Sequence, residues 1–146
     1  MSNVWSDKLP VVQFRIARPT NRLQKVVEFY RDGLGLRVVG HFENHNGYDG
    51  VMLGLPDTAY HLVFTQHVDA VPCPPPSEDN LLVFYMPDVE ARDIVVNRLH
   101  GMGYDEVEPE NPYWKNAGVT IEDPDGWRIV LQNSNFGKKQ DLIGYQ

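Results

Sequence analysis

Gln13 and Arg15 stand two residues apart in Val11-Val12-Gln13-Phe14-Arg15-Ile16-Ala17, so an extended chain turns both side chains to one face. Facing a cavity, an amide and a guanidinium there would bind a polar or anionic ligand. Otherwise they are hydrogen-bonded strand residues with no ligand, and the sequence holds both readings open. His61 has no acid paired with it in the sequence, so a histidine at a cavity rim is a simpler account than a general base. Tyr113 and Trp114 follow Asn111-Pro112. Aromatic side chains in such a place either stack on a planar ligand or cover the open end of a sheet. His45 and Tyr48 fall in a hairpin loop, as a cavity lip or as plain exposed turn residues. No residue is assigned a catalytic role.

Composition narrows the classes of partner. The chain has 146 residues, 42% of them hydrophobic and 23% charged, which suits one domain or two intimate half-domains with a packed core. A formal charge of -7 with no basic stripe disfavours nucleic acid. The single Cys73, set among Pro72, Pro74, Pro75 and Pro76, excludes an internal disulfide framework. The first residues lack the basic and apolar regions of a signal peptide, and no apolar run approaches the roughly 18 residues that span a bilayer. The expectation is a cytoplasmic protein that binds no membrane.

The candidate residues need elements to hold them. Residues 11 to 17 alternate as a strand, with Phe14 and Ile16 toward a core and Pro19 as its stop. Asn21 and Gln24 have the spacing of a capping box, followed by a helix whose apolar stripe is Leu23, Val26, Val27, Tyr30 and Leu34, ending around Gly33 and Gly35. Strands are predicted at 36–42, 50–53 and 60–65, completing a βαβββ order. A proline-rich linker covers 67–79. Leu81 to Met86 then reads as a strand and Asp88 as an N-cap, with Ala91, Ile94, Val95, Leu99 and Met102 at helical spacing. Further strands are predicted near 104–107, 118–122 and 127–132. The tail from Ser134 offers Leu142, Ile143 and Tyr145 for docking.

The two halves repeat each other. Gly33 and Gly35 correspond to Gly101 and Gly103 at an offset of 68, and Pro56-Asp57 to Pro124-Asp125 at the same offset. His61-Leu62-Val63-Phe64-Thr65 corresponds to Arg128-Ile129-Val130-Leu131-Gln132 at an offset of 67. Three matches in one order make duplication a better account than coincidence. The fold class is therefore α+β, a single domain over 1–146: module one at about 10–66, the linker 67–79, module two at about 80–133 and the tail 134–146.

Phe29-Tyr30-Arg31-Asp32-Gly33-Leu34-Gly35-Leu36, Met86-Pro87-Asp88-Val89 and Asp123-Pro124-Asp125-Gly126 together resemble the vicinal oxygen chelate superfamily, which includes glyoxalases, bleomycin-resistance proteins and extradiol dioxygenases. The resemblance covers roughly residues 10 to 133. It implies curled mixed sheets around a cavity, a homodimer and, in many members, a divalent metal held by His or Gln, Glu, His and Glu. Carried across, those ligand positions fall on Gln13 or Arg15, on Val63, on Leu81 and on Val130. Valine and leucine cannot replace the water stripped from a divalent ion. The expectation is no metal and no other cofactor.

What the resemblance leaves is a lined cavity that binds a small molecule, with Gln13, Arg15, His61, Trp114 and Arg128 as its candidate contacts. His61 and Arg128 enter this set because each lies two residues before an apolar ligand position and so shares its face. The alternative is a metal-dependent glyoxalase-, isomerase- or dioxygenase-type enzyme with ligands rearranged among Gln13, His41, Glu43, His45, His61 and Glu108.

Overall fold

The computed structural model describes residues 10–55 and 58–134. Pro56-Asp57 and the docking residues Leu142, Ile143 and Tyr145 lie outside them. The chain divides between Cys73 and Pro74 into two compact units. In the first, β1 (Phe14–Pro19) leads through α1 (Leu23–Val27) and a π-helical continuation, Glu28–Leu34, to β2 (Arg37–His45), β3 (Tyr48–Gly54) and β4 (Tyr60–His67). In the second, β5 (Leu81–Tyr85) leads through α2 (Val89–Gly101) to β6 (Glu106–Val107), a 3-10 turn at Pro112–Lys115, β7 (Gly118–Glu122) and β8 (Arg128–Gln132). The sheets are ordered β1-β4-β3-β2 and β5-β8-β7-β6. In each, the first strand runs parallel to the last, and the remaining pairs are antiparallel. The duplication read from the sequence is thus present as two βαβββ modules.

Module one buries the predicted stripe except for Leu23, which is half-buried. Val26, Val27, Tyr30 and Leu34 are buried with Phe29, and the Tyr30 ring stacks on Phe64 of β4 at 4.9 Å. The helix widens to π geometry before Gly35, whose φ of 104° receives the chain in the left-handed region. Gly35 N and Leu36 N both donate to Tyr30 O, at 3.1 and 2.9 Å.

Several expectations are corrected. The capping box does not form: Leu23 N donates instead to Gln66 Oε1 of β4 at 2.9 Å, while Asn21 Nδ2 donates to Val71 O at 2.6 Å. A side chain from a distant strand has taken the acceptor's role. The first strand begins at Phe14 and ends on Pro19 rather than before it, because β1 is an edge strand and an edge tolerates a missing N–H. Phe14 is 55% exposed and stacks on Tyr60 at 5.6 Å, so it is not core, whereas Arg18 on its own side of the strand is buried.

In module two, Asp88 caps α2 as expected, its Oδ1 accepting from Glu90 N and Ala91 N. Leu99 is buried, but Ala91, Ile94 and Met102 are exposed. Helical spacing located the helix without identifying a buried face. Among the described residues no helix is long and apolar enough to cross a membrane.

These caps predict a contrast. Gln66→Ala should lower stability by about 1 kcal/mol, as loss of an N-cap acceptor does, whereas Gln24→Ala should stay within about 0.5 kcal/mol. Urea unfolding of the two variants measures both.

Candidate functional site

Residues paired across strands share a sheet face, so the register lays the module-one sheet out in rows. On the face away from Tyr30, Arg15 of β1 pairs with His61, His61 with Gly54, and Gly54 with Arg37. Gln13 sits just before this row, its Nε2 donating to Ala59 O at 2.6 Å and lying 3.3 Å from His61 Nδ1. The fold therefore brings Gln13, Arg15 and His61 together and adds Arg37, which sequence reasoning missed. Gly54 leaves the middle of the row low, since a Cβ there would meet the His61 ring at 3.1 Å. The result is a row with two guanidinium groups on a chain whose net charge is -7.

The next row along holds Val63, paired with Ala17 and Met52. Beyond it, Pro19 pairs with Thr65, Thr65 with Gly50, and Gly50 with Phe42. This third row forms the floor of a pocket of about 490 Å³ lined by Pro19, Phe42, His45, Asn46, Tyr48 and Thr65. Gly50 is the residue that allows it, because any Cβ there would overlap the Phe42 ring, which lies across the bare Cα. His45 meets Phe42 edge-on at 6.1 Å, and Tyr48 meets His67 edge-on at 4.8 Å. Asn46 and Gly47, at φ 52° and 86°, make the two-residue hairpin turn that carries His45 and Tyr48 to the rim.

His45 and Tyr48 thus line a pocket, while Gln13, Arg15 and His61 stand two rows away, roughly 13 Å along β4 at the usual strand rise. Phe42, Pro19 and Thr65 were missed. Their convergence depends on strand pairing, and the Asn46-Gly47 turn was the local signal for it.

The remaining candidates lie in module two. Arg128 is 6% exposed and donates to Glu122 Oε2 at 3.0 Å, Glu108 O at 2.9 Å and Glu78 Oε2 at 2.8 Å. These bonds tie β8, β7 and the segment before β5 together. Trp114 is half-buried on the 3-10 turn that Asn111 caps, and its ring meets Tyr113 edge-on at 4.9 Å. In the turn before β8, Asp123 Oδ1 accepts from Asp125 N and Trp127 N, while Gly126 takes φ 86°.

At the positions where the resemblance implies metal ligands, Val63 and Val130 are buried hydrocarbon. Among the described residues no three His, Cys, Asp or Glu side chains gather as a metal-holding group. The donor set does not fit a divalent ion.

Burial shifts one phenol on the opposite sheet face. Tyr60 is raised above the ordinary tyrosine range by desolvation, opposed by the positive charge of Arg18. A raised phenol contributes its stability in full below the unfolded value near pH 10 and loses it as pH rises through the higher folded value. Unfolding free energy should therefore fall in alkali, and Tyr60→Phe should remove the late part of that fall together with a late-titrating phenolate absorbance.

The Arg128 cluster gives a second prediction. Arg128→Met should cost about 2 kcal/mol, the scale of hydrogen bonds to charged groups. Glu78→Gln should cost under about 1 kcal/mol, because the Glu78 side chain is 60% exposed. Denaturant midpoints separate the two.

Residues 14–65 match the YycE-like N-terminal domain family and residues 79–133 the YycE-like C-terminal domain family. The uncharacterized protein YycE of Bacillus subtilis (strain 168) is 57% identical over 122 residues, covering 84% of this chain and 88% of the relative. A crystal structure of a YycE protein of unknown function from Bacillus subtilis superposes with a TM-score of 0.83 at 55% identity, covering 88% of this chain and 93% of that one. Leishmania major glyoxalase I gives a TM-score of 0.64 at 19% identity over 82% of this chain and 84% of that one. TnmS3, an antibiotic binding protein from Streptomyces sp. CB03234, gives 0.60 at 21% identity over 84% of this chain and 93% of that one. At such identities these last two share the fold alone.

Proposed function

This chain belongs to the YycE-like family of the glyoxalase and bleomycin-resistance fold, and on that premise we propose that it binds a small molecule on the module-one sheet without a divalent metal. The observation that carries the proposal is the pocket of about 490 Å³ walled by Phe42, His45 and Tyr48, on the same sheet face as Arg15, His61 and Arg37. The pocket lies within the usual range for small-molecule sites, and the aromatic faces of Phe42 and Tyr48 favour a flat body whose edge meets the polar groups of His45, Asn46 and Thr65. The two arginines favour a carboxylate or other anion at the far end. The ligand class is an aromatic acid long enough to reach from the pocket to the cationic row. TnmS3 supports the reading, as a fold relative whose role is to bind an antibiotic. A homodimer in the cytoplasm belongs to the same proposal and is checked by sedimentation and by cell fractionation.

The test is thermal denaturation with an anthraquinone carboxylate and with uncharged anthraquinone. A ligand present at 100 times its Kd adds about 2.7 kcal/mol of apparent stability. The acid should raise the melting midpoint more than the neutral compound. Phe42→Ala or Tyr48→Ala should abolish both shifts, while Arg15→Ala with Arg37→Ala should erase only the difference between them. Purified protein carrying near-stoichiometric metal that a chelator removes would overturn the metal-free reading.

A further inference from the structure

The module-one sheet carries a second cavity, on its helix side. The helix covers the middle of that face, where Leu53, Leu62 and Phe64 are buried, but the cover stops short of β2: Val38, paired with Leu53, is 41% exposed, and Val51, paired with Phe64, is half-buried. Between the flank of the helix and the two outer strands lies a cavity of about 310 Å³, whose walls include Leu23 and Arg31 from the helix and Val38, Glu43, Asp49 and Val51 from β2 and β3. That volume is at the small end of the range for small-molecule sites.

The two ends of this cavity carry opposite charge. The helix begins where Leu23 N bonds Gln66, which pairs with Asp49, and it finishes before β2 starts at Arg37, so Arg31 stands toward Val38 and Leu23 toward Asp49. Leu53, the partner of Val38, lies four residues from Asp49, which sets the ends roughly 13 Å apart along β3 before the side chains reach inward. Arg31 Nε and Nη2 hold Asp32 at 2.8 and 3.0 Å and leave the Nη1 edge of the guanidinium for a second carboxylate. At the other end Asp49 Oδ1 accepts from Asn44 N at 2.8 Å, which fixes that carboxylate beside Glu43. Apolar side chains, Leu23, Val38 and Val51, fill the wall between the charges.

We propose that this trough binds a short zwitterion, with its ammonium group at Glu43 and Asp49, an apolar body along Leu23, Val38 and Val51, and its carboxylate at Arg31. An anion alone would leave Glu43 and Asp49 facing it unpaired, and an amine alone would leave the free guanidinium edge empty. Free-ended dipeptides and ω-amino acids share the required chemistry. The trough has Phe42 in common with the pocket on the opposite face, and the proposal does not rest on the ligand assigned to that pocket.

The test is amide NMR of the full-length, isotope-labelled protein titrated with alanylvaline, ε-aminocaproate, hexylamine and hexanoate. At least one zwitterion should bind about fivefold more tightly than either singly charged compound, the scale of one exposed ion pair, and should shift the amides around Val38 and Val51. A preference for alanylvaline makes a peptide the source and a preference for ε-aminocaproate an ω-amino acid, and either supports the proposal. Glu43→Gln with Asp49→Asn should lower zwitterion affinity to that of hexanoate, and Arg31→Gln to that of hexylamine. These variants keep side-chain shape and the acceptor for Asn44 N, so their melting midpoints and their response to the anthraquinone carboxylate should match the parent's. Hexylamine or hexanoate binding as tightly as both zwitterions overturns the proposal, and so do shifts confined to His45 and Tyr48.

Discussion

Each module depends on the parallel pairing of its first strand with its last. Parallel neighbours cannot be joined by a hairpin, so the chain must leave β1, cross the sheet as a helix and return through β2 and β3 before it can lie beside β1 as β4. The same constraint produces β5, α2 and the return through β6 and β7 to β8. The β1 half of the module-one face follows from this closure. Arg15 meets His61 and Pro19 meets Thr65 because β1 and β4 run in one direction at one register. A slip of β1 by one residue would turn Arg15 and Pro19 to the helix side, away from His61 and Thr65.

How far the sequence could be read depends on the range of the interaction that decides each feature. The two glycine pairs and the Asp88 cap are local, and each was visible as residue types at short spacing. The N-terminus of α1 was misread because its acceptor, Gln66, is 43 residues away and reaches the helix only after β4 has docked. Alternation puts Phe14 on the face that the helix covers, but it does not tell how far along the strand that cover reaches. The structure buries Arg18 on that face and leaves Phe14 at the edge against Tyr60. The pocket was half legible: the Asn46-Gly47 turn places His45 and Tyr48, while Phe42, Thr65 and Pro19 join them through the registers of three strand pairs.

The modules share a topology and have diverged in what the corresponding strands carry. His61 of β4 is half-buried beside Gln13, in a row with two exposed arginines. Its sequence counterpart Arg128 is buried and bonded to two carboxylates and a backbone carbonyl, so that it joins strands. A guanidinium presents several donors in a fixed plane, which suits it to hold three partners at once where an imidazole could not. One strand position thus serves an open polar row in module one and a buried cross-link in module two.

Glycine decides how close the remaining groups can come. Gly50 lets the Phe42 ring lie across β3, and Gly118 lets the Trp114 carbonyl and the Gln132 amide approach β7. In both places a side chain would overlap groups that already fill the space, so the missing Cβ is a spatial requirement and not a matter of backbone freedom. With hydrocarbon at Val63 and Val130, the same strands that could present ion ligands pack instead, and what the module-one face offers is shape, aromatic surface and the charges at the row ends. A scaffold shared with glyoxalases thus carries packed hydrocarbon at two of the positions where the resemblance implies ion ligands.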